Sequence, residues 1–562
     1  MSIDAMESSS RDSGRRGGRD ARRHARASKL SDADRPIWPG LPGGKYQVLS
    51  EADMQKIHHK ILDVLEQIGF ADAIPSTVDY MTKAGAYIDK NDGRMKFPRA
   101  LVEDTIAKAA RRFPLYAQDP RYDMDPWGKN VYYGTAGAAV NVVEPLTGDY
   151  RESTVVDLYD CSRIVDHCDN IHFFQRTNVC REIPNPRELD INTAYASVAG
   201  TTKHVGTSMV HPDHVTEVLE MLHMIAGGED KWRERPFVSQ SNCFVVPPLK
   251  FAEDACKCLE VAVLGGMPVL LLSAGQAGAT APASLAGTVV QAVAECLVGL
   301  IYVNAIKPGA PYIFGTWPFV SDLRTGAMSG GSPEQALLSS ACGQMANFYD
   351  LNGGTGAGMC DSKVIDFQAG YEKAYNLTLV GNAGTNLIYE AAGMHASLLG
   401  ICKETLVADN DIIAAAQRTM RGIDTSDDAL DLDTIRNVCV YCGSNLGANP
   451  AYAAAAQTLG AIPVPVYADS VAVELAKILA NAGVRLAVVQ DQEQVDKFIS
   501  INDDLKSLER ILYDEDRGLE DYDHSRLTAI DALISEARAD FARDSSLRAT
   551  IEVEVDKGAA DE

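Results

Sequence analysis

A chain of 562 residues exceeds what one small core needs, so one large domain with an appendage, or two to three domains, is expected. Its hydrophobic share of 46% and charged share of 23% are those of ordinary globular proteins and exclude wholesale disorder. The formal charge of -25, from 52 basic and 77 acidic side chains, repels nucleic acid and anionic membranes, so neither is expected as a partner.

The first segment departs from that balance. Arg11 to Lys29 holds eight Lys/Arg against two Asp with no apolar stretch behind it, so it is no secretory signal. Residues 1–45 are expected to be a solvated, disordered basic arm, with binding to a polyanion as the alternative. The longest apolar run, near Gly265 to Ala274, has strand length, and no segment is expected to reach the roughly 18 to 20 apolar residues that span a bilayer. The twelve cysteines stand singly in apolar contexts, which suits reduced thiols and a cytoplasmic location. Cys439 and Cys442 form a lone C-x-x-C without a second pair, and a β-strand suits them better than zinc.

Leu49 to Phe70 predicts a surface-packed helix, with Ser50 as N-cap and Asp53 at the capping-box position. Val131 to Val143 predicts a small β-element, closed by the turn Glu144 to Asp149. From Ile171 short β-rich runs alternate with helical stretches. Strands are expected at Ile171–Thr177, His204–Met209, Phe237–Phe244, Val269–Ser273, Tyr312–Gly315, Phe348–Leu351, Leu387–Tyr389 and Thr405–Ala408. Eight strands at this spacing predict an α/β fold, a (β/α)8 TIM-type barrel over about Ile171 to Ala408, with an N-terminal helical cap. A doubly wound open sheet stays open as the alternative, although no G-x-G-x-x-G opens a helix behind the first strand. In a barrel the chemistry gathers at the C-terminal strand ends. Three of these ends are rich in small residues: Ser273 to Thr280, Gly315 to Asp322 and Asn352 to Asp361.

Gly356 to Lys373 reads GAGMCDSKVIDFQAGYEK and is followed by NLIYEAAGMHASLL from Asn386 and LVADNDI from Leu406. With Gly330 to Glu334 (GGSPE), these segments resemble the trimethylamine methyltransferase family over about four hundred residues. The resemblance implies a barrel that transfers methyl from a methylated amine to the cobalt of a corrinoid (cobalamin) carried by a separate corrinoid protein. No D-x-H-x-x-G signature for binding that group occurs in this chain. The founding members place pyrrolysine two residues before the aspartate that matches Asp361; here that residue is Met359. The chain therefore resembles the non-pyrrolysine branch, whose members include enzymes acting on quaternary amines such as glycine betaine.

A quaternary nitrogen leaves as a neutral tertiary amine without a general acid, so the protein need only orient the cation and exclude water. Aromatic faces do this. Phe314, Trp317 and Phe319 at one strand end and Tyr389 at another are candidates, each with ordinary core packing as the alternative; Trp317 is the first choice. Met359, Asp361 and Glu390 are the candidate catalytic residues, the two acids facing the cation. A carboxylate on the substrate would want His204, Lys203, Gln276 or Arg324, and His204 could equally be a core histidine. Lys363, Asp366, Gln368 and Glu372 match the motif without separating catalytic from anchoring roles.

Residues 46–437 are thus expected to form the methyltransferase barrel, and 438–562 a chimeric partial α/β appendage. Val438 to Leu459 resembles the opening of lysine-decarboxylase-like phosphoribohydrolases, and Gly460 onwards a slice of long-chain acyl-CoA synthetases. Neither brings its active site, and a complete core is not expected there. The leading function is a corrinoid-protein-dependent methyltransferase on a small methylated amine. A barrel that lost catalysis and serves as a scaffold, and an acyl-CoA ligase, are the alternatives. Monomer and homo-oligomer both remain open.

Overall fold

The computed structural model describes residues 40–426 and, beyond them, separate stretches between 438 and 535; of the basic arm expected over residues 1–45, residues 1–39 lie outside the described residues, and Leu41–Pro42 is a short strand. The chain divides into two compact units, residues 1–422 and 423–562.

The first unit is an α/β fold around one curled, nine-stranded sheet. Eight strands run parallel: β1 (Asn130–Tyr133), β2 (Phe173–Gln175), β3 (His204–Thr207), β4 (Val238–Asn242), β5 (Val269–Ser273), β6 (Tyr312–Thr316), β7 (Gly353–Gly356) and β8 (Leu387–Tyr389). The short strand Leu41–Pro42 adds antiparallel to β1, and the order then runs β1-β8-β7-β6-β5-β4-β3-β2. The two ends of this order approach each other. Gly134 makes a parallel bridge to Phe173, and the His172 N–H donates to the Tyr133 carbonyl at 2.7 Å.

A helix follows each strand: α4 (Val155–Asp166), α5 (Pro186–Gly200), α6 (Pro212–Ala226), α7 (Glu253–Leu264), α8 (Leu285–Ile306), α9 (Pro333–Phe348), α10 (Phe367–Ala383) and α11 (Lys403–Arg421). Before β1 stand α1 (Glu51–Asp63), α2 (Pro75–Ala84) and α3 (Arg99–Lys108). Helix α1 begins as its sequence predicts. The Ser50 hydroxyl accepts from the Asp53 N–H at 3.2 Å, and the Asp53 carboxylate accepts from the Ser50 N–H at 3.3 Å. Such a cap stabilises a helix by about 1 kcal/mol.

Three sequence expectations need correcting. Phe348 ends helix α9, and the strand near it starts only at Gly353, because the small residues Gly353, Gly354 and Gly356 make the strand while the apolar ones end the helix. Thr405–Ala408 belongs to α11, whose apolar side (Leu406, Ile413, Met420) is buried at helical spacing. The eighth parallel strand instead comes from upstream, β1, so the parallel set runs from Asn130 to Tyr389.

Helix α8 is the third correction. Its 22 residues are long and apolar enough to cross a membrane, contrary to the sequence reading. It is instead a core helix, with 78% of its apolar window buried. It packs on β5 and β6 from one side and on α1, α2 and α3 from the other. A helix apolar all round needs cover all round, and the N-terminal helices supply it.

The segment after the Leu41–Pro42 strand fastens the floor of the unit. Gly43 N–H donates to the Lys129 carbonyl at 2.8 Å, Gly44 N–H to Asn382 at 2.7 Å, and the Lys45 ammonium to the Met420 carbonyl at 2.7 Å.

In the second unit five parallel strands are described: β9 (Val438–Gly443), β10 (Ile462–Tyr467), β11 (Leu486–Val489), β12 (Arg510–Tyr513) and β13 (Leu527–Ala529), in the order β10-β9-β11-β12-β13. Cys439 and Cys442 lie on β9, as their apolar context predicts. Leu527–Ala529 is a strand and the described residues 530, 532, 533 and 535 after it are helical, so the helix that Ser525–Phe541 suggests starts later than the sequence reads. The described residues enclose their own apolar cluster, including Leu479, Val489, Phe498 and Ile511.

Candidate active site

The sequence segments that follow β6, β7 and β8 do meet. The Trp317 and Tyr389 rings lie 5.1 Å apart between centroids, and Phe173 of β2 stands edge-on to Tyr389 at 4.9 Å. Parallel strands deliver these residues to one end of the sheet, because every C-terminal end points the same way.

Glu390 follows β8 directly and is 1% exposed. Its backbone sits at φ +60°, a left-handed conformation that costs a non-glycine residue about 1 to 3 kcal/mol. Its Oε2 is buried without a hydrogen-bond partner, and burial pushes the carboxyl pKa up to about 8. A carboxyl in this state holds its proton to a higher pH than an exposed one.

The end of β7 makes room for it. A Cβ on Gly356 would stand 2.7 Å from Glu390 Oε2 and 3.8 Å from Met359 Cε, so glycine alone admits the carboxyl and the thioether to one spot. Gly358, at φ +101°, turns the chain so that Met359 returns over this spot. Met359 is fully buried and rests against Gly330.

Trp317 is held from behind. Gln335, in the first turn of α9, donates to the Pro318 carbonyl at 2.7 Å and to Ser339 Oγ at 3.1 Å, and Ser339 Oγ donates to the Gly356 carbonyl at 3.0 Å. The indole Nε1 is buried without a partner. A buried indole normally finds an acceptor, and none is supplied by the described residues. Trp317→Ala is expected to lower catalytic turnover beyond its loss of stability, and Trp317→Phe to recover the stability and part of the turnover. The loss of core aromatic volume costs about 3 to 5 kcal/mol in the alanine variant; urea melts of both variants against their kcat/KM separate the two effects. An alanine variant whose folded fraction turns over normally makes Trp317 plain core.

Phe319 lies in the same apolar cluster as Trp317, Met359 and Tyr389, and Gln276 stands beside it in the pairing of Gln276–Ala277 with Phe319–Ser321. This small sheet, completed by Met328–Ser329, lies over the strand end beside a recess of about 390 Å³ lined by Val320, Leu323, Ser329 and Glu334.

Other candidates are placed elsewhere. Phe314 faces the helix layer with Leu271 and α8 rather than Trp317. His204 is at the N-terminal end of β3, the far end from Glu390. Its Nδ1 is 2.6 Å from the Tyr116 carbonyl and its Nε2 is 3.0 Å from Ser239 Oγ, and burial lowers its pKa to about 4. It is a satisfied core histidine. Lys203 donates to three carbonyls, Val165, Cys168 and Ile171, at 2.6 to 2.7 Å. Arg324 is exposed and paired with Asp322 at 3.1 Å.

Asp361 does not face a cation site. Its carboxylate accepts from the Ser329 hydroxyl, the Gly330 N–H at 2.6 Å, the Gly331 N–H at 3.1 Å and Ser397 Oγ at 2.8 Å. It ties three loops together. The rest of the motif anchors as well. Asp366 caps α10 by accepting from the Ala369 N–H at 2.9 Å. Glu372 accepts from the Asp361 N–H at 2.7 Å and from Gln368 at 2.8 Å, and the Lys363 carbonyl accepts from Tyr150 at 2.6 Å. Lys373 pairs with Asp409 at 2.5 Å, both 2% exposed.

The sequence reading missed Phe173, which opens β2 and whose ring stands edge-on to Tyr389; Arg176 follows the same strand. Arg176 Nε is buried without a partner. No sequence motif marks it, since β2 ends without a run of small residues. Among the described residues no group of His, Cys, Asp and Glu could hold a metal ion.

Aromatic rings and a buried carboxyl are thus gathered at the C-terminal end of a parallel sheet. Residues 15–454 match the family model of trimethylamine methyltransferase (MTTB), and the chain belongs to that family of methyltransferases. A trimethylamine methyltransferase, MttB, of Desulfitobacterium hafniense is 30% identical over 389 residues, 69% of this chain and 78% of the relative. A glycine betaine methyltransferase of the same species is 30% identical over 397 residues, 70% of this chain and 81% of that one. Among solved structures, the monomethylamine methyltransferase (MtmB) of Methanosarcina barkeri aligns with a TM-score of 0.41 at 12% identity, covering 82% of this chain and 95% of that one.

Proposed function

We propose that the chain moves a methyl group from a quaternary methylated amine to a reduced corrinoid presented by a partner protein, at the mouth of a closed (β/α)8 barrel. The observation that carries the reading is Glu390, a buried and unpartnered carboxyl beside the Trp317 and Tyr389 rings, with Met359 where a tertiary-amine enzyme would need an electrophile. Support for closure comes from the Gly134–Phe173 bridge. Glu390, ionised by the arriving cation, and the two rings hold the ammonium head, and the closely packed mouth excludes water. The corrinoid supplies a two-electron nucleophile for the methyl carbon. The C–N bond breaks, its electron pair stays on nitrogen, and no proton is required. The relative that acts on glycine betaine supports a quaternary rather than a tertiary amine.

The partner needs a surface near that mouth. Directly after the Gly356–Asp361 segment, Val364, Ile365, Phe367 and Tyr371 are exposed, Phe367 to 86%. An apolar group of this kind fits a protein partner. Phe367→Glu is expected to raise the KM for the corrinoid protein roughly 10-fold or more, the effect of losing an interface anchor, with thermal stability unchanged. The test of the whole reading is a panel of methylated amines incubated with a reconstituted, reduced corrinoid protein. The visible absorbance change on methyl uptake should appear with quaternary amines, and its absence across the panel defeats the proposal.

A further inference from the structure

Polar side chains without a partner on the chain face the mouth from β2 and β4. Phe173 and Gln175 alternate to one face of β2, and Phe173 meets Tyr389 there, so Gln175 stands one pleat nearer the mouth on the side of the aromatic rings. A Cβ on Gly206 would lie 1.6 Å from Gln175 Oε1, so the amide lies across β3 where glycine leaves it room. Ser241 of β4 pairs with Leu270, whose Cδ1 borders Gly315 and, with Ile313 and Tyr389, Gly354; Ser241 therefore faces the same interior. Among the described residues no hydrogen bond joins the Gln175 amide or the Ser241 hydroxyl to a protein group. Gln175 is 5% exposed, yet its amide is not sealed off. An enclosed amide normally has a partner, and here the partner has to come from outside the chain.

This interior is poor in positive charge. Of the side chains that the eight strands turn inward, His204 alone is basic, and it is engaged at the far end. Arg176, the residue after Gln175, continues the pairing with β3 and alternates to the helix side, the side of Thr207 and Gln240. Lys203 and Arg324 are already taken up by carbonyls and by Asp322. The wall across from Glu390 is therefore neutral and built of hydrogen-bonding groups.

An amide and a serine hydroxyl each donate and accept, and so does an alcohol. A carboxylate only accepts. It would leave the amide oxygen facing a negative charge and would bring a second anion beside Glu390 with no inward base to offset it. The Gly134–Phe173 bridge sets β2 beside β1, and β8 pairs with β1 on the other side. Two strand spacings, roughly 10 Å, thus separate β2 from β8, a span that a small amine covers with its contacts at either end. We propose that Gln175 and Ser241 bind a hydroxyl on the tail of the methylated amine, so that the substrate is a quaternary amine with an uncharged, hydroxyl-bearing tail whose ammonium head meets Glu390. The assignment rests on the quaternary-amine reading above and narrows it to tails that carry no charge.

The test uses the full chain and needs no corrinoid partner, which keeps it apart from the test of methyl transfer. Calorimetric affinities are measured for tetramethylammonium, choline and glycine betaine, which share a methylated ammonium head and end in no tail, a hydroxyl and a carboxylate. The parent chain should bind choline roughly 3- to 10-fold tighter than tetramethylammonium, the worth of one hydrogen bond, and glycine betaine no tighter than tetramethylammonium. Gln175→Met keeps the length of the side chain and should erase choline's advantage by weakening choline alone. Its thermal stability should match the parent's, since the amide has no partner on the chain to lose. Ser241→Ala should remove part of the same advantage. Equal affinity for choline and tetramethylammonium in the parent chain overturns the proposal, as does tighter binding of glycine betaine than of choline, or a Gln175→Met variant that weakens choline and tetramethylammonium alike. Binding of none of the three defeats the quaternary-amine reading itself and the proposal with it. If Gln175→Met does not fold, the parent chain's ranking of the three ligands and the Ser241→Ala variant decide, and failure of either counts against the assignment.

Discussion

On the proposed function, Glu390→Gln is expected to cut kcat/KM for the quaternary amine by roughly 30- to 1000-fold, the 2 to 4 kcal/mol that follows removal of one member of a desolvated charge pair. The same variant should be more stable than the parent chain at pH 8. The carboxyl is raised from 4.5 to about 8 in the folded chain. Between those values the folded chain holds a proton that the unfolded chain has released. Folding stability therefore falls as pH rises from 4.5 through 8, and glutamine removes the fall. Thermal melts of the two chains should coincide near pH 4 and diverge by a few kcal/mol by pH 8. Substrate affinity should run the other way in the parent chain. Since the cation prefers the ionised carboxylate, affinity should climb as pH approaches 8 and flatten above it. A glutamine variant with unchanged kcat/KM and a pH-independent parent affinity would remove Glu390 from the site.

Asp409→Ala is expected to destabilise the first unit by roughly 3 to 5 kcal/mol, the usual cost of stranding a buried charge. Lys373 would lose its ion-pair partner at 2.5 Å, and the Gly393 N–H, 2.7 Å from the same carboxylate, would lose its acceptor. Gly393 lies three residues beyond Glu390, so the loss should reach the site as well as the fold. The paired replacement Lys373→Met with Asp409→Leu should recover most of the stability, because no charge is then left unpaired. Urea unfolding of Lys373→Met, Asp409→Leu and the double variant completes the cycle; additive losses would mean that the pair is not coupled.

The alternation of strand and helix was legible wherever strands were apolar, as in Val269–Ser273 and Tyr312–Thr316. It failed at β7, because a strand of glycine and threonine carries no apolar signal and is recognised only by the neighbours that pair with it. It failed again at Thr405–Ala408, where a β-branched start belongs to a helix whose buried side extends to Met420. The meeting of Trp317, Tyr389 and Glu390 was legible because strand order alone brings strand ends together. The roles of Asp361 and His204 were not. Whether an acid faces a ligand or ties down backbone N–H groups depends on which loops return to it, and loop paths leave no periodicity.

The fastening of Lys45 to the Met420 carbonyl has a topological consequence. Residues 45 and 420 are hundreds of positions apart along the chain, yet they meet within a single hydrogen bond on the face opposite Glu390. A short peptide could therefore join them, and new termini could be opened in an exposed turn such as Leu146 to Asp149. The resulting circular permutant would keep every parallel strand in its present order. Its start and finish would then lie beside the mouth, where a fused partner protein would be tethered at high effective concentration.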